Sequence, residues 1–185
     1  MRIVIVGGVA AGMRAAARAR RLDEQAEIIV LERGDYVSFA NCGLPYYVGG
    51  EIAEREKLLL HTPESLRAAL DLDVRVRNDV VGLDAQAQTV TVQNDSGQDQ
   101  RSYDALILAP GAFAVRPPID GLDSPRVRTL RTVDDAVALR ENVEAGAKRA
   151  GGLGAGVIGV WAAGAPRLQG LEGDLVEFAP PVLPP

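Results

Sequence analysis

The sequence is poor in the residues that make covalent or metal cross-links: its 185 positions include one cysteine and one histidine. One cysteine cannot close an internal disulfide, there is no CxxC pair, and a Cys/His zinc site needs more ligands than the chain carries. Long apolar runs are missing too, so no stretch is long enough to span a membrane. The N-terminus, "MRIVIVGG", reads as a short strand and not as a secretory signal. These absences exclude disulfide-stapled, zinc-binding and membrane-spanning classes, and the expected compartment is the reducing cytoplasm. There is no basic excess either. Twenty Lys and Arg stand against 25 Asp and Glu, a formal charge of −5, which gives no support to nucleic-acid binding. With 47% hydrophobic residues, the chain has an ordinary globular composition.

What is present begins at once. "RIVIVGG" is a β-rich run ending in two glycines, and "AAGMRAAARARRLDE" is rich in Ala and Arg, both strong helix formers. "AEIIVLERG" is a second strand, ending in Glu32. Strand, glycine turn, helix, strand and acid make the opening βαβ unit of a dinucleotide-binding domain. The turn needs glycine because the backbone must approach a pyrophosphate, and the helix start behind it offers free N–H groups. Gly7 and Gly12 hold the outer glycine positions while Val9 holds the middle one, and Glu32 lies where an acid can bond the adenosine ribose.

The middle of the chain changes character. "HTPESLRAALDLDV" predicts a short helix with Thr62 as N-cap and Pro63 near its start. "DVRVR", "DVVGLD" and "TVTVQ" are short β runs, with "NDSGQ" as a turn, so a β-meander is expected within the parallel sheet. "YDALILAPGA" predicts a buried parallel strand at Ala105–Leu108, ending in a turn at Pro110 and Gly111. "RTVDDAVALRENVEAGAKRAGG" predicts a helix stopped at glycines.

The last 35 residues repeat the opening. "GLGAGVIGV" carries a full GxGxxG at Gly154, Gly156 and Gly159, and "DLVEF" follows, ending in Glu177. Between them Gly164 and Pro166 fall where the crossover helix should run, and Pro inside a helix costs about 3 kcal/mol. The expectation is an interrupted helix and an incomplete second unit ending in the proline-rich "PPVLPP". The fold class expected is α/β: a three-layer Rossmann-like FAD/NAD(P)-binding domain with a β-meander over residues 1–150, and the start of an NAD(P)-binding domain over 151–185.

The single cysteine lies in "SFANCGLPYY", among residues that suit neither a core strand nor a core helix, since Gly43 and Pro45 follow it. A lone Cys is by default a small buried hydrophobe. This stretch, with "VIVGGVAAGM", "RARRLDEQAEIIVLERG", "YVSFANCGLPYYVGGEI" and "YDALILAPGAFAVRPPIDGLD", resembles the N-terminal part of the pyridine nucleotide-disulfide oxidoreductases. The branch it resembles is the single-cysteine group of CoA-disulfide reductases, NADH oxidases and persulfide reductases. The likeness is dense from Met1 to about residue 135. Members of that family are more than twice this long, and add the rest of an NAD domain and a dimerisation domain.

The resemblance implies an enzyme using FAD and NADH or NADPH, with Cys42 as redox nucleophile and Ser38 and Asn41 holding substrate or tuning the thiol. It implies FAD contacts from Gly7, Gly8, Ala11, Gly12, Glu32, Arg33, Val81, Ala109, Pro110 and Gly111. Gly154, Gly156, Gly159 and Glu177 would take NAD(P), with NADH favoured because an acid repels the 2′-phosphate of NADPH. Arg14, Arg18 and Arg21 share one helix face at i, i+4, i+7. They would meet the phosphates of CoA, though the same spacing suits a solvated charged face. The expected partner is CoA disulfide or a related small thiol or sulfur species; relatives are homodimers. Trp161 stands where relatives have Glu. With one cysteine, the oxidised state is either a mixed disulfide or a sulfenic acid. A third reading is a truncated, inactive FAD-binding fragment that catalyses nothing.

Overall fold

The computed structural model describes residues 1–178; the proline-rich end, 179–185, lies outside them. In chain order the elements are β1 (Arg2–Val6), α1 (Ala10–Leu22), β2 (Glu27–Leu31), α2 (Leu44–Val48), α3 (Pro63–Leu70), β3 (Asp73–Arg75), β4 (Asp79–Asp84), β5 (Thr89–Asn94), β6 (Gly97–Ser102), β7 (Ala105–Leu108), α4 (Val133–Glu144), β8 (Arg149–Leu153), α5 (Val157–Leu168) and β9 (Glu172–Val176). Short 3₁₀ turns occupy Asn41–Gly43 and Arg55–Leu58. Contacts divide the chain into two units, Met1–Phe39 with Leu59–Ala112, and Ala40–Leu58 with the residues from Phe113 onward.

The first unit is built in three layers. Its central sheet is parallel in the order β3–β2–β1–β7. A strand covered on both faces needs apolar residues at every position, and β1 and β2 supply them. Ile3 and Ile5, with Ile28 and Val30, pack with Met13 and Ala16 of α1 and Leu66 of α3. Their neighbours Val4, Ile29 and Leu31 pack on the other face with Val90 and Val92 of β5. That second cover is the antiparallel meander β4–β5–β6. Val4, Ile5 and Val30 are fully buried, each contributing about 1.5–3 kcal/mol. The strand β7 pairs with β1 as the sequence suggests, but it is half-buried and not buried, with Leu108 58% exposed. It forms an edge of the described sheet.

Two helix ends in this unit are fixed by identifiable devices. The N-cap Thr62 makes a capping box with Ser65 at the start of α3. The guanidinium of Arg20, in the last turn of α1, donates to the carbonyls of Leu70, Glu24 and Asp71 at 2.7–2.9 Å. That staple ties the end of α1 to the end of α3.

The second unit holds α2, α4, α5 and the parallel pair β8–β9. Thr132 and Asp135 make a capping box at the start of α4, which ends at Ala145 before Gly146, at φ +90. The crossover helix corrects an expectation: α5 is continuous through Gly164 to Leu168. Pro166 sits in its last turn, where a missing N–H removes only one bond near a fraying end. The carbonyl of Pro166 is used to finish the helix, accepting from Gln169 and Leu171.

Candidate nucleotide and thiol sites

The first glycine turn is a place where backbone meets backbone. Gly7 has φ +99, and a Cβ there would lie well under 3.0 Å from the Ala109 carbonyl oxygen. A Cβ on Gly12 would lie as close to the Gly7 carbonyl oxygen. A Cβ on Gly8 would lie only 2.8 Å from the Val37 side chain and 3.0 Å from that of Glu32. No side chain fits at any of the three, so β1 runs into α1 by the shortest route. The turn is latched from behind: Glu32, 9% exposed, accepts from the Gly8 N–H at 2.6 Å and the Gly34 N–H at 2.8 Å. Each carboxylate oxygen keeps a further lone pair, so the latch leaves Glu32 able to accept from a ribose hydroxyl.

The start of α1 is unusual beside α3 and α4. Its N-cap position, Val9, makes no side-chain cap, and its first turn holds no acid. α3 and α4 have both a cap and first-turn acids. The uncapped N–H groups and the helix dipole suit a phosphate. The ADP half of FAD therefore fits this turn by its donors, its glycines and its charge.

The second turn repeats the first. Gly154 has φ +94, and a Cβ on Gly159 would press on the Gly154 carbonyl as Gly12 would on Gly7. The Gly154 N–H donates to the Val176 carbonyl at 2.8 Å, and Gly7 donates to Leu31 at the same distance. Glu177 accepts from Ala155 N–H at 2.6 Å and from Phe178 N–H at 2.7 Å, repeating the Glu32 latch. The start of α5 also lacks a side-chain cap and first-turn acids. Nothing lies within 4 Å of a Cβ on Gly156, which leaves open space in front of the helix.

Cys42 sits in a more regular setting than the sequence suggests. Asn41–Gly43 form a 3₁₀ turn that runs straight into α2, with Pro45 in the first turn. Pro is preset for that position, and Gly43 allows the turn to press on Leu58, where a Cβ would come within 2.8 Å. Cys42 is exposed, unlike the core thiol that is the default for a lone cysteine.

The far end of the same segment is gripped by residues the sequence did not single out. Arg140 of α4 donates through Nη1 to the carbonyls of Tyr47, Ile52 and Ala53 at 3.3, 2.9 and 3.0 Å. Its guanidinium carbon also lies 4.6 Å from the centre of the Tyr47 ring. Gln169, just past α5, donates to the Gly49 carbonyl, and Gly49 packs on Ala165. Tyr46 and Trp161 meet edge to face, ring centres 5.8 Å apart. These contacts span about ninety residues or more of sequence, and no local pattern announces them.

The other predicted residues are placed as follows. Ser38 belongs to the first unit; its N–H donates to the Gly8 carbonyl at 2.9 Å and its φ is +49, a strained value for a residue with a Cβ. Asn41 is half-buried beside Cys42 in the second unit. Ala11, Arg33, Pro110 and Gly111 are exposed. Val81 is 53% exposed, next to a bulge in β4. Arg14, Arg18 and Arg21 are exposed on α1. His61 is exposed. No described helix is long and apolar enough to cross a membrane. Among the described residues no His, Cys, Asp and Glu cluster could hold a metal ion.

Comparison with known proteins agrees with this architecture. The family model described as pyridine nucleotide-disulphide oxidoreductase matches residues 1–185. A coenzyme A disulfide reductase of Staphylococcus haemolyticus is 39% identical over 85% of this chain and 36% of its own length. An NADH oxidase of Methanocaldococcus jannaschii is 33% identical over all of this chain and 42% of its own length. The crystal structure of reduced Bacillus anthracis CoADR-RHD superposes with a TM-score of 0.96 at 44% identity, over 100% of this chain and 34% of that one. The chain thus spans between a third and about two fifths of these relatives.

Proposed function

Because the chain belongs to the pyridine nucleotide-disulphide oxidoreductase family, we propose that it carries the FAD and thiol parts of an NAD(P)H-dependent disulfide reductase. Residues 1–150 serve FAD and Cys42, and the segment from 151 opens an NAD(P) site. When bound, FAD supplies a two-electron centre that a pyridine nucleotide reduces. Gly7, Gly8, Ala11 and Gly12 would hold its pyrophosphate, Glu32 and Arg33 its ribose side, and Val81, Ala109, Pro110 and Gly111 its rings. Gly154, Gly156, Gly159 and Glu177 would hold the pyridine nucleotide, Glu177 favouring NADH.

The exposure of Cys42 carries the reading. A thiolate attacks one sulfur of a disulfide; the new Cys42–S bond forms as the substrate S–S bond breaks and one thiolate leaves. Two electrons and the departure of the second thiolate return Cys42 to its starting form. Ser38 and Asn41 both precede the thiol, by four residues and by one, and would orient the substrate. CoA disulfide is the favoured substrate, since Arg14, Arg18 and Arg21 offer three exposed guanidinium groups suited to phosphate. The NADH oxidase relative favours a second reading, reduction of peroxide or oxygen through a Cys42 sulfenic acid.

The test is the Cys42→Ser variant of the full chain, read by its flavin absorbance band after desalting and by NADH-dependent disulfide reduction. The band is expected to persist and the reduction to vanish. Unchanged reduction would remove Cys42 from the chemistry. A wild-type chain that keeps flavin but reduces nothing would leave nucleotide binding as its function.

A further inference from the structure

Arg140 is a charged side chain placed against main chain. Three carbonyls, those of Tyr47, Ile52 and Ala53, converge on its single nitrogen Nη1. The Tyr47 ring lies against its guanidinium, while Nε is held by Glu144 one turn further along α4, at 2.8 Å. The three carbonyls end α2 and the turn after it. Cys42 sits at the opposite end of the same helical stretch, which is unbroken from Asn41 to Val48. That stretch is too short to hold its shape alone, so its direction is set by what grips its ends.

We propose that Arg140 is a positioning residue for Cys42: by gathering the carbonyls at the far end of α2 it fixes the line along which the thiol meets a disulfide. The inference rests on Cys42 being the nucleophile. Thiol–disulfide exchange is directional, because attacking, central and leaving sulfurs must align. Alkylation by a small reagent makes weaker demands on direction. Both reactions use the thiolate, so their ratio cancels any change in how much thiolate is present and reports orientation.

The experiment measures, on the full chain well below its melting temperature, the rate of exchange of Cys42 with the uncharged disulfide 4,4′-dithiodipyridine against its rate of alkylation by the equally uncharged iodoacetamide. In Arg140→Ala the ratio is expected to fall about tenfold, short of the roughly hundredfold that a misplacement of about 1 Å can cost. Arg140→Lys is expected to restore it to within about twofold, since one ammonium carries three donors to the point where the carbonyls converge. Arg20→Ala, which removes a carbonyl staple in the other unit, is the matched control and is expected to leave the ratio alone. A wild-type ratio in folded Arg140→Ala overturns the proposal, as does an equal fall in Arg20→Ala. Loss of the fold in both Arg140 variants overturns it as well, because Arg140 is then a requirement of the unit and not of the thiol. The readout needs no flavin and no turnover. Normal turnover in Cys42→Ser with a shifted ratio sinks the redox reading alone; an unmoved ratio with an inactive Cys42→Ser sinks the positioning role alone.

Discussion

At the scale of the residue, the two turns separate glycines that the fold requires from glycines that a ligand requires. Gly12 touches the Gly7 carbonyl and has nowhere to put a methyl group, so Gly12→Ala should cost about 1–3 kcal/mol and take flavin retention with it. Gly156 faces open space at an ordinary φ of −68. Gly156→Ala should therefore leave the melting curve within about 0.5 kcal/mol while weakening NADH binding. Thermal melts and a nucleotide titration check both. The arginine face of α1 has its own test: Arg18→Ala should weaken reduction of CoA disulfide more than of a phosphate-free disulfide, and equal losses would make that face solvated surface. Much of this was legible, because glycines, an acid at fixed spacing and a lone cysteine are local signals. The strain at Ser38 was not, since its positive φ depends on bonds to Gly8 and Leu60. Arg140 and Gln169 were not legible either, because their partners lie far away in sequence.

At the scale of the element, helix ends divide by purpose. α3 and α4 cap themselves, and α1 and α5 leave their first turns unfilled. Thr62→Ala should destabilise the chain by about 1 kcal/mol, visible as a lower denaturation midpoint. No comparable cap exists to be lost at α1. Pro166→Ala should do the reverse and stabilise by roughly 1 kcal/mol, less than the interior cost because the proline lies in a last turn. A lower midpoint in that variant would mean Pro166 is needed to stop the helix. The sequence suggested a break here because propensity weighs a proline the same wherever it falls in a helix. Tertiary packing decides otherwise: Ala165, its neighbour, is buried against Gly49. The strand order of the sheet was not foreseen, since the unbroken apolar runs of β1 and β2 tell that both faces are covered but not by what.

At the scale of the whole molecule, one device occurs twice. Strand, glycine turn, uncapped helix, strand and latching acid run from Arg2 to Glu32 and again from Arg149 to Glu177. In the function proposed here, the features of the first copy would all serve the adenine-nucleotide end of FAD. ADP should therefore raise the melting temperature of the full chain nearly as much as FAD does at equal free concentration, where a hundredfold excess over Kd stabilises the fold by about 2.7 kcal/mol. A rise confined to FAD would assign the binding energy to the flavin ring instead. The tryptophan count adds a practical consequence. Trp161 is the one tryptophan of the chain, and its ring meets Tyr46, four residues beyond Cys42. All the indole fluorescence of this protein thus arises beside the cysteine segment, so the native chain carries a label-free optical probe of what happens to its only thiol.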